Sequence, residues 1–322
     1  MSVPAEEMGG SVMAAFIAKR VGLMFITLFF IVTITFFLMR SIPGDPLASM
    51  GRALPAQARD NFLEKYSLND PLPVQYLRYL QNLVKLDLGD SLHYPGRSVG
   101  SMIATMSPVS AKVGGIALLA GTLIGVALGI TAALFKNKWP DYLVMFLAII
   151  GTTVPPFVLA SLMQFSLSVQ MGLLPSSGWG QPRHYVMPVI ALSFGTIATY
   201  ARYMKSGMLD TLSQDYILTA QSKGVSEFNV VWKHAMRNSI LPSITMLAAR
   251  IVGIFTGSFV IERMFSIPGL GKYFVDSINN NDYSMTLGLT VFFSIFFVVA
   301  QLLVDIVYVL VDPRIKLAPN AD

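Results

Sequence analysis

Apolar side chains run almost unbroken from 21 to 39, with Lys19 and Arg20 before them and Arg40 after. Five further runs of similar length follow, each set off by charge or by glycine and proline. About 20 apolar residues, rising roughly 1.5 Å each in a helix, cross about 30 Å of hydrocarbon. The pattern therefore predicts six membrane-spanning helices, at 19–39, 109–135, 142–169, 186–205, 241–261 and 284–311. The third is bounded by composition rather than charge: no charged residue occurs between Tyr142 and Arg183, but Gly172, Pro175, Gly178 and Gly180 divide the stretch. An even number of spans puts both termini on one side.

Lysine and arginine predict which side. Lys19, Arg20, Lys136, Lys138, Arg202, Lys205, Lys223, Lys233, Arg237, Arg314 and Lys316 fall on the side of the termini, while the short loops opposite hold Arg183, Arg263 and Lys272. Short cytoplasmic loops carry the excess of positive charge, so residues 1–18 form a cytoplasmic extension and the loop at 206–240 is cytoplasmic. The apolar run after Lys19-Arg20 is too long for a leader core and lacks a small-residue cleavage site, so it is expected to stay as a span.

The polar segment at 40–108 then lies outside the membrane. It opens with Pro43-Gly44-Asp45-Pro46, which dictates a turn. Leu72, Val74, Tyr76, Leu77, Tyr79, Leu80, Leu83 and Val84 then give an apolar helical face that something must cover, and Leu86 to Asp90 make a turn after it.

Composition agrees with the membrane reading. Of 322 residues, 54% are hydrophobic and only 13% charged, against about 25% in a soluble domain; mean hydropathy is +0.60. The net charge of +5 is scattered among the apolar runs and makes no nucleic-acid footprint. With no cysteine there is no disulfide and no thiolate metal site. His93, His184 and His234 lie in separate loops without a metal or nucleophile motif. Gly269-Leu270-Gly271-Lys272 is not a phosphate loop, because the pattern's first glycine falls on Ser266 and Tyr273 replaces its Ser or Thr. The chain is expected to bind no cofactor or metal and to catalyse no reaction.

Three features stand out inside the spans. Gly121, Gly125 and Gly129 recur every fourth residue, a smooth strip on which a neighbouring backbone can pack. Pro155 and Pro156 interrupt the third span and predict a kink. Arg250 is a charge well inside a span, where it is costly and calls for the bundle interior or an aqueous pathway; a partner such as Gln164 or Gln301, serving structure alone, explains it as well.

The chain is organised around the polar island at 214–242. A short helix from Asp215 to Lys223, closed by Gly224, carries only small side chains at Thr219, Ala220 and Gly224 on one side, so another protein could approach its backbone. The order Asp215-Tyr216, Thr219-Ala220, Lys223-Gly224, then Lys233-His234-Ala235, Arg237-Asn238 and Leu241-Pro242 resembles the cytoplasmic loop of ATP-binding cassette (ABC) importer permeases of the oligopeptide, dipeptide and nickel branch. The usual Glu-Ala-Ala start reads Leu218, Thr219, Ala220 here; the acidic residue is absent and the glycine kept. His234 stands where the general signature is aliphatic, and Met236-Arg237 where it has Leu-Pro. The stretches at 42–46, 70–76, 86–91 and 261–285 resemble the same branch, in the expected order.

The resemblance implies an all-α integral membrane protein of the type I ABC importer permease fold, with six spans and an extracytoplasmic segment between spans 1 and 2. It implies a non-catalytic subunit in the bacterial plasma membrane that takes up oligopeptides or dipeptides, with both termini cytoplasmic. Its partners would be a second, homologous permease, two ABC ATPase subunits, an extracellular peptide-binding protein and the membrane lipid. Gln214, Asp215, Tyr216, Ile217, Leu218, Thr219, Ala220, Gln221, Ser222, Lys223 and Gly224 would form the coupling helix that meets the ATPase, and Pro155 and Pro156 would lie near the pathway. A nickel permease shares these motifs. A self-contained channel or ion-coupled carrier is the competing class, although such carriers usually hold several mid-membrane ionisable residues and inverted repeats.

Overall fold

The first apolar run folds as one helix, α1 (Ala5–Ser41), of 37 residues and about 55 Å; its membrane-crossing part is Arg20–Ser41. A computed structural model of the chain describes residues 5–41, 55–240 and 258–311. The polar segment after α1 carries α2 (Ala56–Lys65) and α3 (Leu72–Val84). Then come α4 (Val99–Leu134), α5 (Trp139–Thr153), α6 (Pro156–Met163) with a π-helical continuation at Gln164–Gln170, and α7 (Arg183–Leu212). The polar island forms α8 (Asp215–Ser222), α9 (Glu227–Asn229), a π-helical Val230–Ala235 and α10 (Met236–Ser239). After a helical 258–264, α11 (Leu270–Asn279) and α12 (Tyr283–Val311) complete the described chain. Of the predicted fifth span, 241–257 lies outside the described residues, and Arg250 with it.

The described residues fall into two compact units, one within Met1–Pro108 and Lys272–Val298, the other within Val109–Gly271 and Val299–Ile315. In the first, Phe36 and Met39 of α1 pack with Leu92, Tyr283 and Leu287, and Phe62, Tyr66, Leu68, Tyr76 and Tyr79 close over them. The apolar face of the polar segment is thus partly spent on the end of α1 and the start of α12.

The second unit is arranged around α7, which receives α4 on one side and α5 on another. The glycine strip meets it residue by residue. A Cβ on Gly121 would stand 2.8 Å from Thr196 Cβ, one on Gly125 2.7 Å from Tyr200 Cβ, and one on Gly129 2.6 Å from Met204 Cβ. On α5, Gly151 would come 2.7 Å from Ala198 Cβ. Among the described residues, α1, α4 and α12 are long and apolar enough to cross a membrane alone, and α5 with α6 and its continuation passes as a bent pair. α7 spans the fourth predicted segment with less apolar character, burying Ser193, Thr196 and Thr199; a helix covered by other helices has no need of an apolar face toward lipid.

The third predicted span is two helices meeting at 105°. Residues that precede proline are driven to extended backbone. Val154 and Pro155 both do, and both are extended, with ψ of 121° and 141°. Two consecutive extended residues turn the axis far more than a single proline kink.

Gly125→Leu is expected to destabilise the second unit, because the new side chain meets Ile197 backbone oxygen at 2.8 Å as well as Tyr200, and backbone cannot rotate aside. Overpacking of this kind costs about 1–3 kcal/mol. A lowered unfolding midpoint of the detergent-purified protein, next to an unchanged midpoint for the open Gly115→Ala, checks it.

Candidate functional site

α7 continues beyond the predicted fourth span to Leu212, and the polar island is built on that extension. Ser213 and Gln214 turn the chain, with Gln214 extended and its side-chain amide donating to Asp210 oxygen at 3.2 Å. Asp215 opens α8, where an acid in the first turn complements the positive end of the helix dipole. Of the α8 side chains only Ile217 is buried, at 1% exposure, whereas Tyr216 and Leu218 are 43% and 57% exposed. The helix therefore sits on one apolar peg and presents the rest of its surface.

Its far end is closed by backbone. Gly224 donates to Gln221 oxygen at 2.9 Å and Val225 to Ala220 oxygen at 3.2 Å, a paired closure that requires a left-handed residue. Gly224 has φ +78°, and no atom lies within 4 Å of where its Cβ would be. Conformation alone, and not crowding, selects glycine there.

The returning helices hold α8 to the body of the second unit. Ala235 packs with Ile130, Ala133, Met204 and Met208, and Val231 and Met236 lie against the same cluster. Ser239 hydroxyl gives its proton to Ala235 oxygen at 2.7 Å and accepts from Thr211 hydroxyl at 3.0 Å, and Gly207 allows the close pass, since a Cβ there would be 3.1 Å from Ser239 oxygen. Nearby, Lys205 Nζ lies 2.5 Å from a carboxylate oxygen of the buried Asp141 as an ion pair, and Asp141 also accepts from Asn137 N–H at 3.1 Å. The pair ties the start of α5 to α7.

The candidate residues thus separate in space. Gln214 to Gly224 form one capped unit. Pro155 and Pro156 are at the bend between α5 and α6, and Arg250 lies outside the described residues. Two features were missed in the sequence. Phe228 and Trp232 are 68% and 45% exposed with ring centroids 5.9 Å apart, which their i, i+4 spacing could have signalled. The Lys205–Asp141 pair joins helix positions 64 residues apart and left no local trace. Among the described residues no group of three His, Asp or Glu side chains comes together.

The family described as "binding-protein-dependent transport system inner membrane component" matches residues 125–317, and its N-terminal counterpart matches 13–112. The chain is 43% identical over 305 residues to the dipeptide transport system permease protein DppB of Bacillus subtilis, covering 95% of this chain and 99% of that one. It is 41% identical over 305 residues to DppB of Lactococcus lactis, covering 95% and 100%. With the oligopeptide transport system permease protein OppB of Haemophilus influenzae it shares 40% over 306 residues, 94% and 100% of the two chains. A capped polar island on an all-helical membrane framework, with family matches running from 13 to 317, makes the chain a member of the binding-protein-dependent transport system inner membrane components.

Proposed function

We propose that the chain is the permease subunit of an ABC importer for dipeptides or oligopeptides, and that partner ATPases drive it by docking on α8. The observation that carries the reading is the construction of α8: a helix closed at its C-terminal end by Gly224, pegged by Ile217 and exposing Tyr216 and Leu218, on the extension of the helix that α4 and α5 enclose. A load applied to such a rigid element passes into α7 and the helices packed on it. The names of the relatives support the peptide class of substrate. The importer would comprise this chain, a second homologous permease, two ATPase subunits that alone hydrolyse ATP, and an extracellular binding protein. Both termini and α8 face the cytoplasm, as the distribution of lysine and arginine supports, and 40–108 faces outward. Pro155 and Pro156 would bend the helix beside the pathway.

Because the chain has no cysteine, a single introduced thiol reports cleanly. Leu218→Cys is expected to cross-link to an ATPase subunit in native membranes, and a strain lacking this chain to lose ATP-dependent uptake of a dipeptide or oligopeptide. Cross-linking absent from α8 together with peptide accumulation by the chain alone in vesicles would overturn the proposal.

A further inference from the structure

We infer that α3 is an interfacial membrane anchor, its outward apolar stripe embedded among the acyl chains of the leaflet at the Ser41 end of α1. On the orientation proposed above this is the outer leaflet; the inference itself needs only that α1 crosses the membrane.

The depth of α3 follows from α1. The crossing part, Arg20–Ser41, is 22 residues, about 33 Å long and matched to the hydrocarbon thickness. Thr33 lies eight residues before its end, about 12 Å down the helix axis. Tyr76 of α3 reaches that level: its hydroxyl is 2.6 Å from Thr33 Oγ1, and its ring centroid is 5.3 Å from those of Phe36 and Phe37. Thr33 spends its own proton on Phe29 oxygen at 2.7 Å, so Tyr76 is the donor. The tyrosine hydroxyl is thereby satisfied without water, as a hydroxyl at that depth must be.

α3 departs from the pattern of a helix on a water-soluble body. Such a helix buries its apolar side and shows its polar side. Here Tyr76 and Tyr79 pack on Phe36, and Gln75, Arg78 and Asn82 line a cavity of about 320 Å³ that Arg40 and Asp90 share. Gln75 donates to Asp70 oxygen at 2.7 Å, and Arg78 pairs with Asp70 carboxylate at 2.8 Å. Opposite them, Pro73, Leu77, Leu80 and Val84 recur at the i, i+4, i+7, i+11 spacing of one helical stripe. Leu77 is 59% exposed and Val84 86%. On α1, Ile34, Phe37 and Leu38 are exposed at 55%, 42% and 60%, flanking the Thr33–Tyr76 contact. Amphipathic helices seat an apolar side of this kind about 5–10 Å into the acyl boundary. Lipid, and not water, is the medium that suits an exposed apolar stripe at this depth.

The test uses the assembled transporter in lipid nanodiscs, with a bimane fluorophore on single cysteines at Leu77→Cys and Val84→Cys and, as the aqueous control, at Asp60→Cys, an exposed position of α2. Both substitutions are on the surface and leave the packing of α3 intact. Nitroxide carried high on a lipid acyl chain is expected to quench at 77 and 84 and not at 60, and aqueous iodide to do the reverse. Iodide quenching at 77 and 84 overturns the inference in favour of a water-facing surface. Protection from both quenchers overturns it in favour of a protein cover, such as the second permease.

Discussion

Gly224→Pro is expected to reduce ATP-dependent peptide uptake at least about tenfold, the equivalent of about 1.4 kcal/mol lost from coupling, while the protein still inserts and accumulates. The φ of +78° at this position lies outside the range of proline, whose ring holds φ near −65°. The substitution also deletes the N–H that donates to Gln221 oxygen. The closure that ends α8 must open, and the direction in which the chain leaves the helix changes with it. Ala220→Trp attacks the same element from its side: Ala220 is half-buried, and a side chain of 150–250 Å² lifts α8 from the seat that Ile217 gives it. The measurement pairs ATP hydrolysis with peptide accumulation in proteoliposomes of the complete transporter, and the expected signature is hydrolysis that no longer drives transport. Gly224→Asn, which tolerates the left-handed conformation, should retain most activity and separates backbone conformation from loss of the glycine as such. Normal coupling in both disruptive variants would remove the lever from the mechanism.

How much of this was legible before the fold was known depended on whether the cause was local. α8 and its glycine stop were readable because capping acts within six residues; Asp215 and Gly224 stand at the two ends the pattern predicts. The glycine strip was readable as a packing surface, but not which helix it receives, because Thr196, Tyr200 and Met204 lie about 75 positions on and nothing in their sequence marks them as the other half of the contact. Pro155-Pro156 announced a break. Its size came from two residues each preceding a proline, so a kink expected in one span became a 105° turn between two helices. α7 is the reverse case: its run was read as a span like the others, and the polar side chains within it make sense only once its neighbours are seen. Ser67, Leu86, Ser266 and Asn281 take the same paired backbone closure at a helix end as Gly224, with positive φ and no glycine to mark it. The apolar face at 72–84 was read as needing cover. That only part of it meets protein, through Tyr76 and Tyr79, while Leu77 and Val84 point away, required the position of α1.

The stretch at 261–285 was visible only as a resemblance, and the physical role of Asp282 within it leads to the second large effect. Asp282 is 1% exposed and begins α12, where its carboxylate caps Met285 N–H at 3.1 Å. The same carboxylate accepts Leu92 N–H at 3.0 Å, His93 N–H at 3.2 Å and the Ser91 hydroxyl. One side chain thus fastens the polar segment that follows α3 to the first turn of α12, and it supplies the acceptors for three backbone donors that burial removes from water. Asp282→Ala leaves those donors unpaired at a cost of about 1–3 kcal/mol each, so the expected loss exceeds about 3 kcal/mol in total and the folded protein should be scarce in membranes at growth temperature. Asp282→Asn keeps the shape but replaces one of the two accepting oxygens by an NH₂ that confronts a donor pair, either Leu92 and Met285 or Ser91 and His93. Its penalty should fall between wild type and alanine. The unfolding midpoint in detergent, with Asp60→Ala as the surface control, checks the order wild type, Asn, Ala. An alanine variant that melts with the wild type would show that the 91–93 strap is held by the apolar cluster around Phe36 and Leu92 alone.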